Sequence, residues 1–120
     1  MSDAPLRIWV FVAEIPVPSE IGQFLAPGEQ PRLAYRGYRD WTVFTDRRFI
    51  VRDAQGMTGN RTEMFSLPHA AVNAWSIRDP GPMNLASEVN LWTSPGFIKV
   101  SVDRRVNLQR LTMALTHALA

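Results

Sequence analysis

The sequence predicts a mainly β fold closed by one C-terminal helix. Three observations predict it. Residues 39–61, RDWTVFTDRRFIVRDAQGMTGNR, read as two strands around a tight turn, followed by a second polar turn. Residues 88–102 alternate apolar and polar with a period of two, the period at which successive strand side chains leave opposite faces. From about Val106 the period lengthens. Leu108, Leu111, Leu115 and Leu119 stand at i, i+3, i+7 and i+11, one stripe of an amphipathic helix that should cover an open barrel mouth.

In chain order, residues 6–13 (LRIWVFVA) have strand composition. They are expected either as an extra strand or as a segment laid on a neighbouring subunit, because an exposed apolar strand associates unless it is paired or covered. Pro16 and Pro18 end this stretch, and residues 19–25 read as a short helix with Ser19 as its N-cap. Ala26-Pro27-Gly28-Glu29 is a turn. Residues 32–38 form the next strand, with Leu33 and Tyr35 on one face and Ala34 and Arg36 on the other. In the central hairpin, residues 41–44 and 49–51 are β-branched or aromatic. Asp46 suits the turn between them because its carboxylate can accept a backbone N–H. Val43 and Phe44 are adjacent and both apolar, as are Phe49, Ile50 and Val51. Both faces of this hairpin therefore need cover: one from a core, the other from a packed segment or a second subunit.

Residues 61–66 are the next strand, anchored by Met64 and Phe65. Residues 67–71 are a bend and residues 72–77 a further strand. Asp79-Pro80-Gly81-Pro82 is the strongest break, and Ser94-Pro95-Gly96 turns the last hairpin. In that hairpin Trp92 falls on the polar face.

The pattern Arg39-Asp40, Val43-Phe44-Thr45, Arg48, Ile50, Asp53, Gln55-Gly56, Thr58-Gly59 and Ser66-Leu67-Pro68 resembles the bacterial PH domain family. The resemblance covers residues 24–119 and is weaker over the first 20 or so. It implies a PH-like, seven-stranded, bent antiparallel barrel with a C-terminal α-helix plugging one end. It also implies ring-like homo-oligomers and no enzymatic activity. The expected organisation is a single domain over residues 1–120, with 1–23 an N-terminal extension carrying a strand and a short helix.

Composition narrows the function. The chain has 120 residues, no cysteine and a formal charge of +2. Disulfides and thiolate metal sites are excluded. The basic residues are scattered apart from Arg47-Arg48 and Arg104-Arg105, a poor footprint for nucleic acid, which needs a patch or stripe. No stretch approaches the roughly 18 apolar residues of a membrane span, and a cytoplasmic protein is expected. His69 and His117 each stand alone, outside any triad or metal-ligand spacing. The glycines of residues 55–59 do not make a phosphate loop. No catalytic residue, metal ligand or cofactor is expected. The loop Gly37-Tyr38-Arg39-Asp40, where a eukaryotic PH domain gathers cations for an inositol phosphate, has one arginine beside an aspartate, so phosphoinositide binding does not carry over.

The expected function is a non-enzymatic binding or scaffold domain that self-associates through outward apolar surface. Trp9, Phe11, Trp41 and Trp92 are the candidate interface residues, since outward tryptophans bury much area at little entropic cost. For Trp92 a ring packed over the barrel rim is the other open role. The alternative function is a monomeric adaptor holding a peptide at a sheet edge or beside the C-terminal helix.

Overall fold

The computed structural model describes residues 4–55, 61–78 and 86–120. The turn expected at residues 56–60 and the break expected at 79–82 lie outside the described residues. Strands β1 (Arg7–Phe11) and β2 (Ala13–Ile15) lead into a 3₁₀ turn, Ser19–Phe24. Strands β3 (Pro31–Arg36), β4 (Asp40–Thr45), β5 (Arg48–Gln55) and β6 (Arg61–Pro68) follow as an antiparallel meander. A 3₁₀ corner, His69–Ala71, leads to a second meander of β7 (Val72–Arg78), β8 (Ala86–Thr93) and β9 (Phe97–Asp103). The chain closes with α1 (Leu108–Leu119).

Strands β3 to β9 are the seven expected strands. They do not form one closed barrel: they divide into two sheets, ordered β1-β9-β8-β7 and β2-β3-β4-β5-β6. The N-terminal segment extends both. β1 lies parallel to β9, with Trp9 opposite Val100, and β2 lies antiparallel to β3, with Glu14 opposite Tyr35. The N-terminal strand is thus paired within its own chain. Gly37 permits this close packing, because a Cβ there would stand 2.8 Å from the Val10 carbonyl oxygen and 1.9 Å from Asp40 Oδ1.

The two-sided hairpin finds both its covers inside the chain. Phe44, Phe49 and Val51 face the main core, with Trp9, Phe11, Leu33, Tyr35, Val89, Leu91 and Ile98. Trp41, Val43 and Ile50 face a second core with Ala34 and Ile21, and Ile15, Val17, Leu25 and Met64 pack against it. The second core is therefore roofed by the N-terminal extension. The helix seals the main core as its leucine stripe predicts: Leu111 and Leu115 are buried in it, and Leu108 and Leu119 pack against it. Asn107 caps the helix by accepting the Arg110 N–H at 3.0 Å. Buried Val106 and Leu111 stand one residue before the cap and four after it, the positions of a hydrophobic staple.

Two local expectations are corrected. Residues 19–24 form a 3₁₀ turn, and Ser19 is not its cap; Pro18 holds that position with no side-chain hydrogen bond. The β4–β5 turn is tied by Thr45, whose Oγ1 accepts the N–H groups of Arg47 and Arg48, both at 3.0 Å. Asp46 instead reaches Gln30 N at 2.9 Å. One charged clamp holds this corner. Arg48 donates Nε and Nη2 to the buried Glu29 carboxylate, both at 2.9 Å, and Nη2 also reaches the Phe24 carbonyl at 2.7 Å. Glu29 accepts further from Thr45 Oγ1 at 2.6 Å and Ala26 N at 3.0 Å. Four donors converge on one carboxylate, so its pKa falls to about 2 despite its burial.

Candidate interaction surface

Three of the four expected interface residues are not on the surface. Trp9 and Phe11 are each 3% exposed and lie in the main core; Trp41 is 8% exposed and lies in the second. Their burial has a definite cause. The parallel pairing of β1 with β9 turns Trp9 and Phe11 inward, where Trp9 meets Phe49 at 5.9 Å and Phe11 stacks on Tyr35 at 4.8 Å. Trp41 is covered by the 3₁₀ turn, from which Glu20 accepts its indole N–H at 3.3 Å. Trp75 also faces inward and packs against the main core.

Trp92 is outward and 45% exposed. Its surroundings follow from strand parity. Trp9 and Phe11 on β1, Leu91 and Val89 on β8, and Ile98, Val100 and Val102 on β9 all point into the core. Ile8, Trp92, Phe97 and Lys99 therefore share the opposite face. Trp92 stands directly across from Phe97, ring centroids 5.7 Å apart. Leu6, 48% exposed, donates its N–H to the Phe97 carbonyl at 2.7 Å and lies against Gly96. Ile8, 62% exposed, pairs with Lys99. Four large apolar side chains are thus gathered at one end of the outer face of the four-stranded sheet. The other end is polar. Lys99 Nζ reaches Glu88 Oε1 at 3.1 Å, and Asn90 Nδ2 donates to Glu88 Oε2 at 3.1 Å and to Ser76 Oγ at 3.3 Å. These donors hold the Glu88 carboxyl below its ordinary range. Sequence alternation found Trp92. It missed Leu6 and Ile8, whose place beside Phe97 depends on pairing between chain ends.

A second concavity lies along α1. Arg32, Leu33, Arg110, Met113, Ala114 and His117 are among the residues lining a groove of about 610 Å³ between the helix and the start of β3. It shares four of those residues with a recess of about 120 Å³ that reaches Phe44, Thr45, Asp46 and Ala118.

Elsewhere several polar groups are tied into the packing. His69 packs edge-on against Phe49 at 4.8 Å, and burial pushes its pKa down. Arg7 is ion-paired with Glu63 and lies over the Phe65 ring at 4.0 Å. Asp40 stands across from Asp53, and burial together with that second charge pushes the Asp40 carboxyl up. Among the described residues no group of three or more His, Asp or Glu side chains is placed to hold a metal ion, and no helix is long and apolar enough to cross a membrane.

Comparison with known proteins agrees with this architecture. The chain is 38% identical over 78 residues to the uncharacterized protein YjqA of Bacillus subtilis (strain 168), a match covering 65% of this chain and 62% of that one. It therefore spans under two thirds of that relative's length. Two of the crystal structures that share the fold come from Shewanella species. One, of a DUF1696 family protein with a pleckstrin-homology domain from Shewanella loihica, superposes with a TM-score of 0.82 at 26% identity, covering 90% of this chain and 97% of that one. The other, of a pleckstrin homology domain from Shewanella amazonensis, gives 0.70 at 28% identity, covering 85% of each. The model of the family described as Bacterial PH domain matches residues 1–119, taking in the N-terminal extension, and the chain belongs to that family.

Proposed function

We propose that this domain is a non-enzymatic scaffold that assembles with copies of itself through the outer face of its four-stranded sheet. One observation carries the reading: Trp92, Phe97, Leu6 and Ile8 lie on the same outer sheet face, Trp92 packed on Phe97, with Leu6, Ile8 and Trp92 each 45% exposed or more. A contiguous exposed apolar patch with a polar margin is the surface expected of an interaction site. The polar margin here is the Lys99, Glu88 and Asn90 network. The family resemblance, with the ring-like assemblies it implies, supports the same reading.

Of the other apolar features that suggested association in the sequence, the hairpin contributes nothing to it, since both its faces are covered within one chain, while the N-terminal stretch turns Trp9 and Phe11 inward and supplies Leu6 and Ile8 from its outer face. The loop at Gly37–Asp40 does not favour a polyphosphate ligand, because the opposed carboxylates Asp40 and Asp53 place negative charge beside it.

The test is the solution mass of Trp92→Asp beside the wild type, by light scattering after size exclusion. The reading expects a multiple of 13.6 kDa for the wild type and a folded monomer for the variant. Equal masses for the two proteins would refute this face as the interface.

A further inference from the structure

The groove along α1 lies on a different element from the proposed interface, and its chemistry is distinct. Its floor is apolar: Leu33, Met113 and Ala114 line it, and Met113 is largely exposed there. Its rim carries two guanidinium groups, Arg32 and Arg110, together with His117, Asn107 and Gln109. Arg110 is already engaged, its Nε and Nη2 donating to the two oxygens of Glu14 at 2.8 and 3.0 Å. Arg32 is exposed and has no ion pair among the described residues. The acid lining the inner recess is Asp46, whose Oδ1 accepts the Gln30 N–H at 2.9 Å. The rim therefore offers one guanidinium without an ion pair among the described residues, above an apolar floor that opens into a recess.

The two volumes set the size of an occupant. The groove of about 610 Å³ is open to solvent along its length and suits an extended segment lying across it. The recess of about 120 Å³, walled by Leu33, Phe44, Ala114 and Ala118, has room for a single aliphatic side chain and no backbone. We propose that this groove docks a short acidic peptide segment of a partner protein, one aliphatic side chain entering the recess beside Phe44 and Ala118 while a flanking carboxylate pairs with Arg32. The carboxylate gains a charge-assisted, two-toothed partner that has no ion pair among the described residues. The aliphatic side chain gains burial against α1. A basic segment would bring like charge against Arg32, the rim guanidinium that has no ion pair among the described residues.

The inference is independent of self-association and is tested separately. The probe is the fluorescein-labelled peptide Glu-Asp-Leu-Glu-Asp, blocked at both ends and read by fluorescence anisotropy. Its controls replace the leucine by serine, or the four acids by lysine and arginine. The full chain should bind the acidic leucine peptide at least about tenfold more tightly than either control. Arg32→Glu, an exposed change whose fold is to be checked by circular dichroism, should weaken binding by a similar factor. Ala114→Phe, which fills the groove floor, should abolish the preference for leucine over serine, and Trp92→Asp should bind as the wild type does. Three outcomes would overturn the proposal: no preference for the leucine peptide over its controls, equal binding by the wild type and Arg32→Glu, or a fall in self-associated mass caused by Arg32→Glu. The last would make the occupant a second copy of this chain.

Discussion

Replacing Glu29 by Gln removes one charge from the clamp that joins the 3₁₀ turn, β4 and β5, and changes its shape little. The carboxyl moves from 4.5 in the unfolded chain to about 2 in the folded one. At 1.36 kcal/mol per pH unit, the folded state favours the charged form by about 3 kcal/mol. Because the pKa is lowered on folding, this contribution is fully present above about pH 4.5 and is lost as the pH falls towards 2. The side chain of Glu29 is 1% exposed and that of Arg48 25%, so solvent screening removes little of it. Glu29→Gln should therefore cost about 2–3 kcal/mol near neutral pH, since the Arg48 guanidinium loses its counter-charge inside a half-buried corner. The decisive feature is the pH dependence of the difference. Below about pH 2 the wild-type side chain is itself neutral, and the two proteins should converge in stability. Urea unfolding of both proteins, followed by circular dichroism between about pH 2 and 7, measures this directly. A difference that stays constant across that range, or one below about 0.5 kcal/mol at neutral pH, would refute the assignment of the clamp.

Three further outcomes follow from the packing. Ile21→Ala should cost about 2–4 kcal/mol in urea unfolding, because Ile21 is the buried contribution of the N-terminal extension to the second core; a cost under about 1 kcal/mol would mean the extension does not seal that face. Leu111→Ala should cost about 3–5 kcal/mol, since the side chain is fully enclosed between helix and sheet, and thermal denaturation reads it as a lowered Tm. His69 keeps its neutral form longer in the folded state than in the unfolded one, because burial lowers its pKa. Its presence should therefore subtract stability progressively as the pH falls below about 6.5, where the unfolded chain takes the proton first. A variant with Leu at position 69 should show a shallower loss of stability from neutral to mildly acidic pH than the wild type.

The parts of the fold legible in the sequence are those whose signal is local. The leucine stripe of α1 and the alternation of β8 and β9 each declare a buried face within about a dozen residues, and both faces are where they were expected. Trp92 was placed outward by the same alternation. What was not legible depends on contacts between distant segments. Trp9 and Phe11 share a strand face, but only the parallel pairing with β9, some 90 residues on, makes that face internal. Trp41 belongs to a strand that is apolar on both sides, and its cover comes from Ile15, Val17, Ile21 and Leu25, which follow no regular period. A match between those four residues and the second face of the hairpin was the available signal. Glu29 and Arg48 both read locally as turn residues, one in each of two separate turns; their bond spans 19 residues. The groove on α1 was foreseen only as a place beside the helix, because its charged rim combines residues from both halves of the chain.

The measurement closest to the central claim is the mass of the wild-type protein by light scattering across a wide dilution series. Assembly through the Trp92 face predicts one discrete multiple of 13.6 kDa that persists on dilution. A monomer at every concentration would contradict it, and would leave the apolar cluster of Leu6, Ile8, Trp92 and Phe97 without the role assigned to it.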